Sequence, residues 1–142
     1  MQSSAKDRKF LIFEVHGSLY AFDLTLVSEV VDPLPCWPIP LAPDCFSGAV
    51  QIHGSIVAVI DLAAFFGLSQ NREPSKMIVL VKDVAALAFQ VARVIRIATL
   101  QQAEVQNSSE DDFTLSRLVL AEGEARLLDV HKMVLAAEDM MK

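Results

Sequence analysis

Phe22-Asp-Leu24-Thr-Leu-Val27-Ser-Glu29-Val30 is answered by Phe89-Gln-Val91-Ala-Arg-Val94-Ile-Arg-Ile97, and this echo within the chain decides the fold. At the same offset Phe10-Leu-Ile-Phe13 precedes Met77-Ile-Val-Leu80, and one position more separates Ile60-Asp-Leu62-x-x-Phe65-Phe66 from Leu128-Asp-Val130-x-x-Met133-Val134. Three matches in the same order argue against chance similarity among aliphatic residues. Each copy reads strand, strand, loop, strand, short helix. A repeated unit of this size cannot cover its apolar face alone, so the two copies are expected to dock on each other.

The chain has 142 residues, enough for one domain or two small halves sharing a core. Apolar residues make up 53% and the mean hydropathy is +0.40, high enough to suggest apolar contacts with other proteins. No stretch reaches the roughly 18 uninterrupted apolar residues of a membrane span. The longest candidate, Ile56 to Leu68, is interrupted by Asp61 and Gly67. The opening MQSSAKDRK lacks the apolar segment of a secretory signal, so a cytoplasmic location is expected, with no direct membrane insertion. Eighteen acids against twelve bases give a net charge of -6, and no basic cluster stands out; nucleic acid is therefore not the expected partner. Cys36 and Cys45 read as ordinary thiols in a loop.

Local signals place the elements. Phe10 to Val15 and Leu19 to Leu24 form a hairpin around His16-Gly17, and Gly48 to Ile52 with Ile56 to Ile60 form another around His53-Gly54. Leu26 to Val31 suits either a strand or a helical turn. Pro33, Pro35, Pro38, Pro40 and Pro43 make the next segment a stiff connection, because each lacks an amide donor. Trp37 within it either anchors the connection on the core or offers an exposed contact, and anchoring is the commoner fate of a loop aromatic. Asp61 and Asp129 each precede a helical run and suit the N-cap, a better reading than catalysis, and Gly67 suits the position after the first helix. Residues 67–75 form a polar link. Strands follow at Met77 to Val81, Ala86 to Val91, Leu115 to Leu120 and Ala125 to Leu128, with Gln101 to Asp112 an exposed loop.

Chemistry is scarce. His16, His53 and His131 lack an accompanying set of carboxylates or thiolates, and Glu110-Asp111-Asp112 lacks the spaced ligands of a calcium loop. There is no phosphate-binding glycine loop, nucleophile elbow or His-Glu-x-x-His. No enzyme, cofactor or metal is indicated, which leaves a binding or scaffolding module.

The run Gly48-Ala-Val-Gln-Ile-His-Gly-Ser-Ile-Val-Ala-Val-Ile-Asp-Leu62, followed by Phe65-Phe66-Gly67-Leu68, resembles the central signature of the CheW-like domain family. Phe22-Asp-Leu-x-x-Val27-x-Glu29-Val30, Pro40-x-Ala42-Pro43-Asp44 and Leu127-Leu-Asp-Val130 fall where that family carries its own segments. The resemblance spans about residues 8–137 and implies a mainly β fold. Two SH3-like five-stranded barrels, about 10–68 and 77–134, would pack on a shared apolar core with short helices, one of them C-terminal. It also implies a non-catalytic adaptor joining the cytoplasmic tip of methyl-accepting chemoreceptors to the regulatory domain of a CheA-type histidine kinase. On this resemblance Val27, Glu29 and Val30 match kinase-contact positions. Ile52, His53 and Gly54 match receptor contacts, which also lie in the groove between the barrels, and Gly48 is a structural position.

Two departures stand out. His53 occupies the place of the family's usual Arg, exchanging a permanently charged fork for a mostly neutral ring. Val91-Ala92-Arg93-Val94 replaces a Val-Asp-x-Val pattern, and a glycine expected before it is missing. Both point to an accessory chemosensory pathway, such as one serving surface motility. The rival readings are an SH3-like peptide-binding module outside chemotaxis, which would need more aromatics than Trp37 and Tyr20 provide, and an enzyme with a dispersed site.

Overall fold

The computed structural model describes residues 8–69, 76–99, 104–107 and 111–141. Eleven strands and two helices occur among them: β1 Lys9–Val15, β2 Ser18–Asp23, β3 Val27–Val31, β4 Phe46–Ile52, β5 Ser55–Asp61, α1 Leu62–Phe65, β6 Lys76–Leu80, β7 Leu87–Val91, β8 Arg93–Thr99, β9 Glu104–Asn107, β10 Thr114–Leu120, β11 Gly123–Leu128 and α2 Val130–Met140. One sheet runs β8-β1-β2-β11-β10-β9 and the other β3-β6-β7-β5-β4. Each curls around its own small core as an SH3-like barrel, and a third, larger core joins the two.

The alternation within β1 explains why its sequence is a continuous apolar run. Phe10 and Ile12 enter one barrel, while Leu11, Phe13 and Val15 face the shared core. Its counterpart β6 does the same in the second repeat, with Met77 and Val79 in its barrel and Ile78 and Leu80 in the shared core. A strand buried on both faces has no polar side to offer.

The two sheets do not divide the chain at the polar link, where the sequence suggested subdomains of 10–68 and 77–134. The contiguous segment β3 to β7 makes one barrel, and β1-β2 joins β8 to β11 in the other. The two repeats have exchanged their first hairpins. Parallel pairing seals the exchange, with Leu19 opposite Ala125 in one sheet and Leu87 opposite Ala58 in the other. A sequence period records similarity between copies and carries no information on which copy a strand pairs with.

The repeat nevertheless holds to single-residue register. Phe10 faces Ala98 and Phe13 faces Val94; Met77 faces Val31 and Leu80 faces Val27. Both pairings carry a bulge, beside Ile95 in β8 and beside Ser28 in β3, at matching places in the two repeats.

Three local expectations change. Leu24–Leu26 forms one 3-10 turn before β3, so the ambiguous segment is mostly strand. β9 lies within the stretch read as loop, pairing with β10 and giving that sheet a sixth strand. Trp37 is anchored by its backbone, whose N–H and carbonyl both bond Ala49 at 2.8 Å and cover the β4 edge; the residue is 62% exposed. Residues 70–75 of the polar link and Glu110 of the acidic triplet lie outside the described residues.

Candidate partner-binding surface

The β4–β5 hairpin closes through His53 at φ 50 and Gly54 at φ 81, a left-handed pair that matches the twist of the flanking strands. A non-glycine residue seldom adopts this conformation, and here it holds the imidazole out over the barrel mouth. Across that mouth lies β3, where the bulge beside Ser28 re-aims Glu29. His53 Nε2 lies 2.9 Å and 3.1 Å from the two carboxylate oxygens of Glu29. Strands β3 and β4 are the opposite ends of their sheet, so this contact bridges a seam that the backbone ladder leaves open.

Beside the pair is a cleft of about 230 Å³, with Ile52, Val57 and Val79 in its wall and Glu29, His53 and Lys82 contributing polar groups. The positions singled out in the sequence divide here. Val27 is half-buried against the shared core, while Val30 is 37% exposed. Ile52 is buried in its barrel, whereas His53 and Gly54 project into solvent. The structure therefore brings the expected kinase-contact and receptor-contact positions together through Glu29 and His53. Sequence reasoning missed Lys82, and also Ile56, an apolar residue 72% exposed on β5 next to the same turn.

The other barrel repeats this arrangement with changed chemistry. Arg96, the counterpart of Glu29 in the second repeat, reaches from edge strand β8 to Glu122 in the β10–β11 turn, with Nε to Oε2 at 2.5 Å and Nη2 to Oε1 at 3.0 Å. The cation now sits on the strand and the anion on the turn. Hydrogen bonding from Arg96 lowers the Glu122 carboxyl to about 2, and the bond to Glu122 raises the Arg96 guanidinium. The offset that relates Val27 to Val94 could have pointed to Arg96.

The remaining singled-out residues hold the frame. Asp61 caps α1 by accepting from Ala63 N–H at 3.0 Å and Ala64 N–H at 3.3 Å, and Asp129 caps α2 by accepting from Lys132 N–H at 3.1 Å. Gly48 has φ 143, and a Cβ there would press on the Trp37 carbonyl and lie 2.9 Å from Cys36 Cβ. Gly67, at φ 79, ends α1. Cys36 and Cys45 are free thiols, both pushed up by burial. Among the described residues, no group of three His, Cys, Asp or Glu side chains could hold a metal ion, and no helix is long and apolar enough to cross a membrane.

A duplicated SH3-like β fold with interlocked repeats and an apolar cleft bridged by polar groups defines a class of binding module. The family model for the CheW-like domain matches residues 9–138, and the chain belongs to that family. It is similar to the chemotaxis protein CheW of Thermotoga maritima, 27% identical over 141 residues that cover 94% of this chain and 92% of that one. It is also similar to the chemotaxis protein CheW of Treponema pallidum, 25% identical over 73% of this chain and 66% of that one. Among solved structures, the scaffolding protein TtCheW from Thermoanaerobacter tengcongensis shares the fold, with a TM-score of 0.77, 20% identity, and coverage of 89% and 92%.

Proposed function

We propose that the protein is a non-catalytic adaptor of a bacterial chemosensory array, cytoplasmic and recruited to membrane receptors. It couples the cytoplasmic tip of a methyl-accepting chemoreceptor to the regulatory domain of a CheA-type histidine kinase. The kinase meets Val27, Glu29 and Val30, and the receptor meets the turn at Ile52, His53 and Gly54. Family membership supports the class of function, and one contact carries the mechanism: Glu29 and His53, assigned to different partners, bond each other at 2.9 Å. A partner that engages one of them alters what the other presents, so the two binding events share a coupling free energy, typically about 1–3 kcal/mol. His53 in place of Arg fits an accessory pathway with its own receptor. Pull-down of the main flagellar receptors at ordinary affinity would rule out that assignment.

Calorimetric titration with the regulatory domain of the CheA-type kinase from the same organism tests the adaptor reading. Saturable micromolar binding, about -8 kcal/mol, is expected. Glu29→Lys should weaken it about tenfold while leaving the fold intact, because an exposed pair contributes only about 0–1 kcal/mol to stability. No binding by the unaltered chain would refute the adaptor reading. Unchanged binding by a folded Glu29→Lys variant would remove that residue from the interface.

A further inference from the structure

Among the described residues the last turns of α2 have no counterpart in the first repeat, although the surroundings of both helices are repeated. Asp61 N–H donates to the Cys45 carbonyl at 2.8 Å, and at the matching place in the second repeat Asp129 N–H donates to the Phe113 carbonyl at 2.7 Å. Both aspartates then cap the helix that follows. Beyond the caps the halves diverge. α2 continues for eleven residues and brings Met140 Sδ within 3.8 Å of Cys45 Sγ, whereas α1 stops after four at Phe65, with Gly67 in the left-handed region. Ser69, just past that stop, has its carbonyl 2.6 Å from His16 Nε2 in the β1–β2 turn.

The surface next to Cys45 is thus covered by α2, and among the described residues the equivalent surface next to Phe113 has no such cover. It forms a groove of about 410 Å³ walled by Tyr20, Phe65, Phe66, Leu68 and Phe113, with Asp111, Asp112 and Arg126 among its polar lining. Tyr20 and Phe66 stack with centroids 5.3 Å apart, and Phe65 lies 5.3 Å from Phe113, so the wall is a continuous aromatic sheet. By the repeat offset, Tyr20, Phe66 and Phe113 occupy the places of Leu87, Val134 and Cys45, all buried in the shared core. The groove stands apart from the Glu29–His53 cleft and shares no residue with it.

We propose that this groove docks one amphipathic helix of a partner protein, laid where the end of α2 lies in the other repeat. The pseudo-symmetry names the occupant. At the matching surface Met133 and Val134 stand where Phe65 and Phe66 stand here, and the end of α2 adds Ala137 and Met140, an apolar i, i+3 stripe on one helix face. The sequence supplies no such stripe at this place. Residues 69–72, which stand at the offset of Ala137 to Met140, read Ser-Gln-Asn-Arg, and none is apolar. The partner helix therefore carries an apolar stripe of that spacing. A Lys or Arg beside the stripe meets Asp112, whose side is acidic, and so fixes the direction of docking.

The test uses the intact chain and a fluorescein-labelled, hydrocarbon-stapled peptide with the sequence of residues 129–141, the helix that covers the equivalent surface. Fluorescence anisotropy should show saturable micromolar binding, and amide shifts of the labelled chain should centre on Phe66, Leu68 and Phe113. Leu68→Asp, at an exposed position, should weaken binding at least tenfold, and Glu29→Lys should leave it unchanged. The shift map of the unaltered chain stands as a test even if Leu68→Asp folds poorly. Absence of saturable binding would overturn the proposal. So would shifts centred on Cys45 and Leu87, which would mean exchange with the chain's own α2. A dimer in sedimentation that Leu68→Asp abolishes would put a second copy in the groove and overturn the partner-helix assignment.

Discussion

Asp61 and Asp129 offer an internal comparison, since the same residue caps the same place in two repeats with different burial. Asp61 is 5% exposed and receives two backbone N–H groups, those of Ala63 and Ala64. Ala63 is itself fully buried, so truncating the cap leaves at least one donor away from water. Asp129 is half-exposed and receives one N–H, that of the exposed Lys132, which water can satisfy. Loss of a cap costs about 0.5–2 kcal/mol, and an orphaned buried donor adds to it, so Asp61→Ala should cost about 2 kcal/mol or more and Asp129→Ala about 0.5–1 kcal/mol. For a chain of this size, about 1 kcal/mol moves the melting midpoint by about 4 °C. Thermal unfolding followed by circular dichroism should therefore show drops of about 8 °C and about 2–4 °C. Asp61→Asn, which keeps a capping oxygen, should recover most of the larger loss. Equal drops, or a greater one for Asp129→Ala, would refute the argument that burial and the number of donors set the cost.

Gly48→Ala should destabilise by more than about 1 kcal/mol, because the new Cβ presses on the Trp37 carbonyl in a backbone conformation that alanine resists. Urea unfolding checks the magnitude, and the emission of Trp37, the only tryptophan, should report a loosened bridge to Ala49. The Glu122 carboxyl, held down from the ordinary 4.5 to about 2 first by hydrogen bonding from Arg96, should titrate in that low range by carboxyl NMR. The pair's contribution is then complete above about 4.5 and is lost as pH falls toward 2, and Arg96→Gln should return the midpoint to the normal range. A midpoint near 4.5 in the unaltered chain would show that the pair does not persist in solution.

Much of the fold was legible because burial leaves a period along the chain. Phe10-Leu-Ile-Phe13 and Met77-Ile-Val-Leu80 are apolar without alternation because each strand is buried on two faces, and His16-Gly17 and His53-Gly54 mark turns because both centres require positive φ. Asp61 and Asp129 mark helix starts for an equally local reason: a carboxylate reaches N–H groups only two or three residues ahead. β9 was hidden because a short edge strand in a polar stretch needs no apolar signal. Trp37 misled because its backbone is tied down and its ring is not.

The candidate site was legible only as a set of separate positions. Glu29 and His53 are well separated along the chain, and nothing local says that a bulge on one strand and a left-handed turn on another aim them at each other. The exchange of hairpins between repeats, the inverted pair at Arg96 and Glu122, and the groove left where α1 ends early belong to the same category. Local pattern alone marked the doubly buried strands, the turns, the helix caps and the twofold repeat, because those signals lie among neighbours along the chain. Which copy each strand pairs with, and which side chains meet across the seam, were decided by the tertiary structure, because those contacts join residues that the chain keeps far apart.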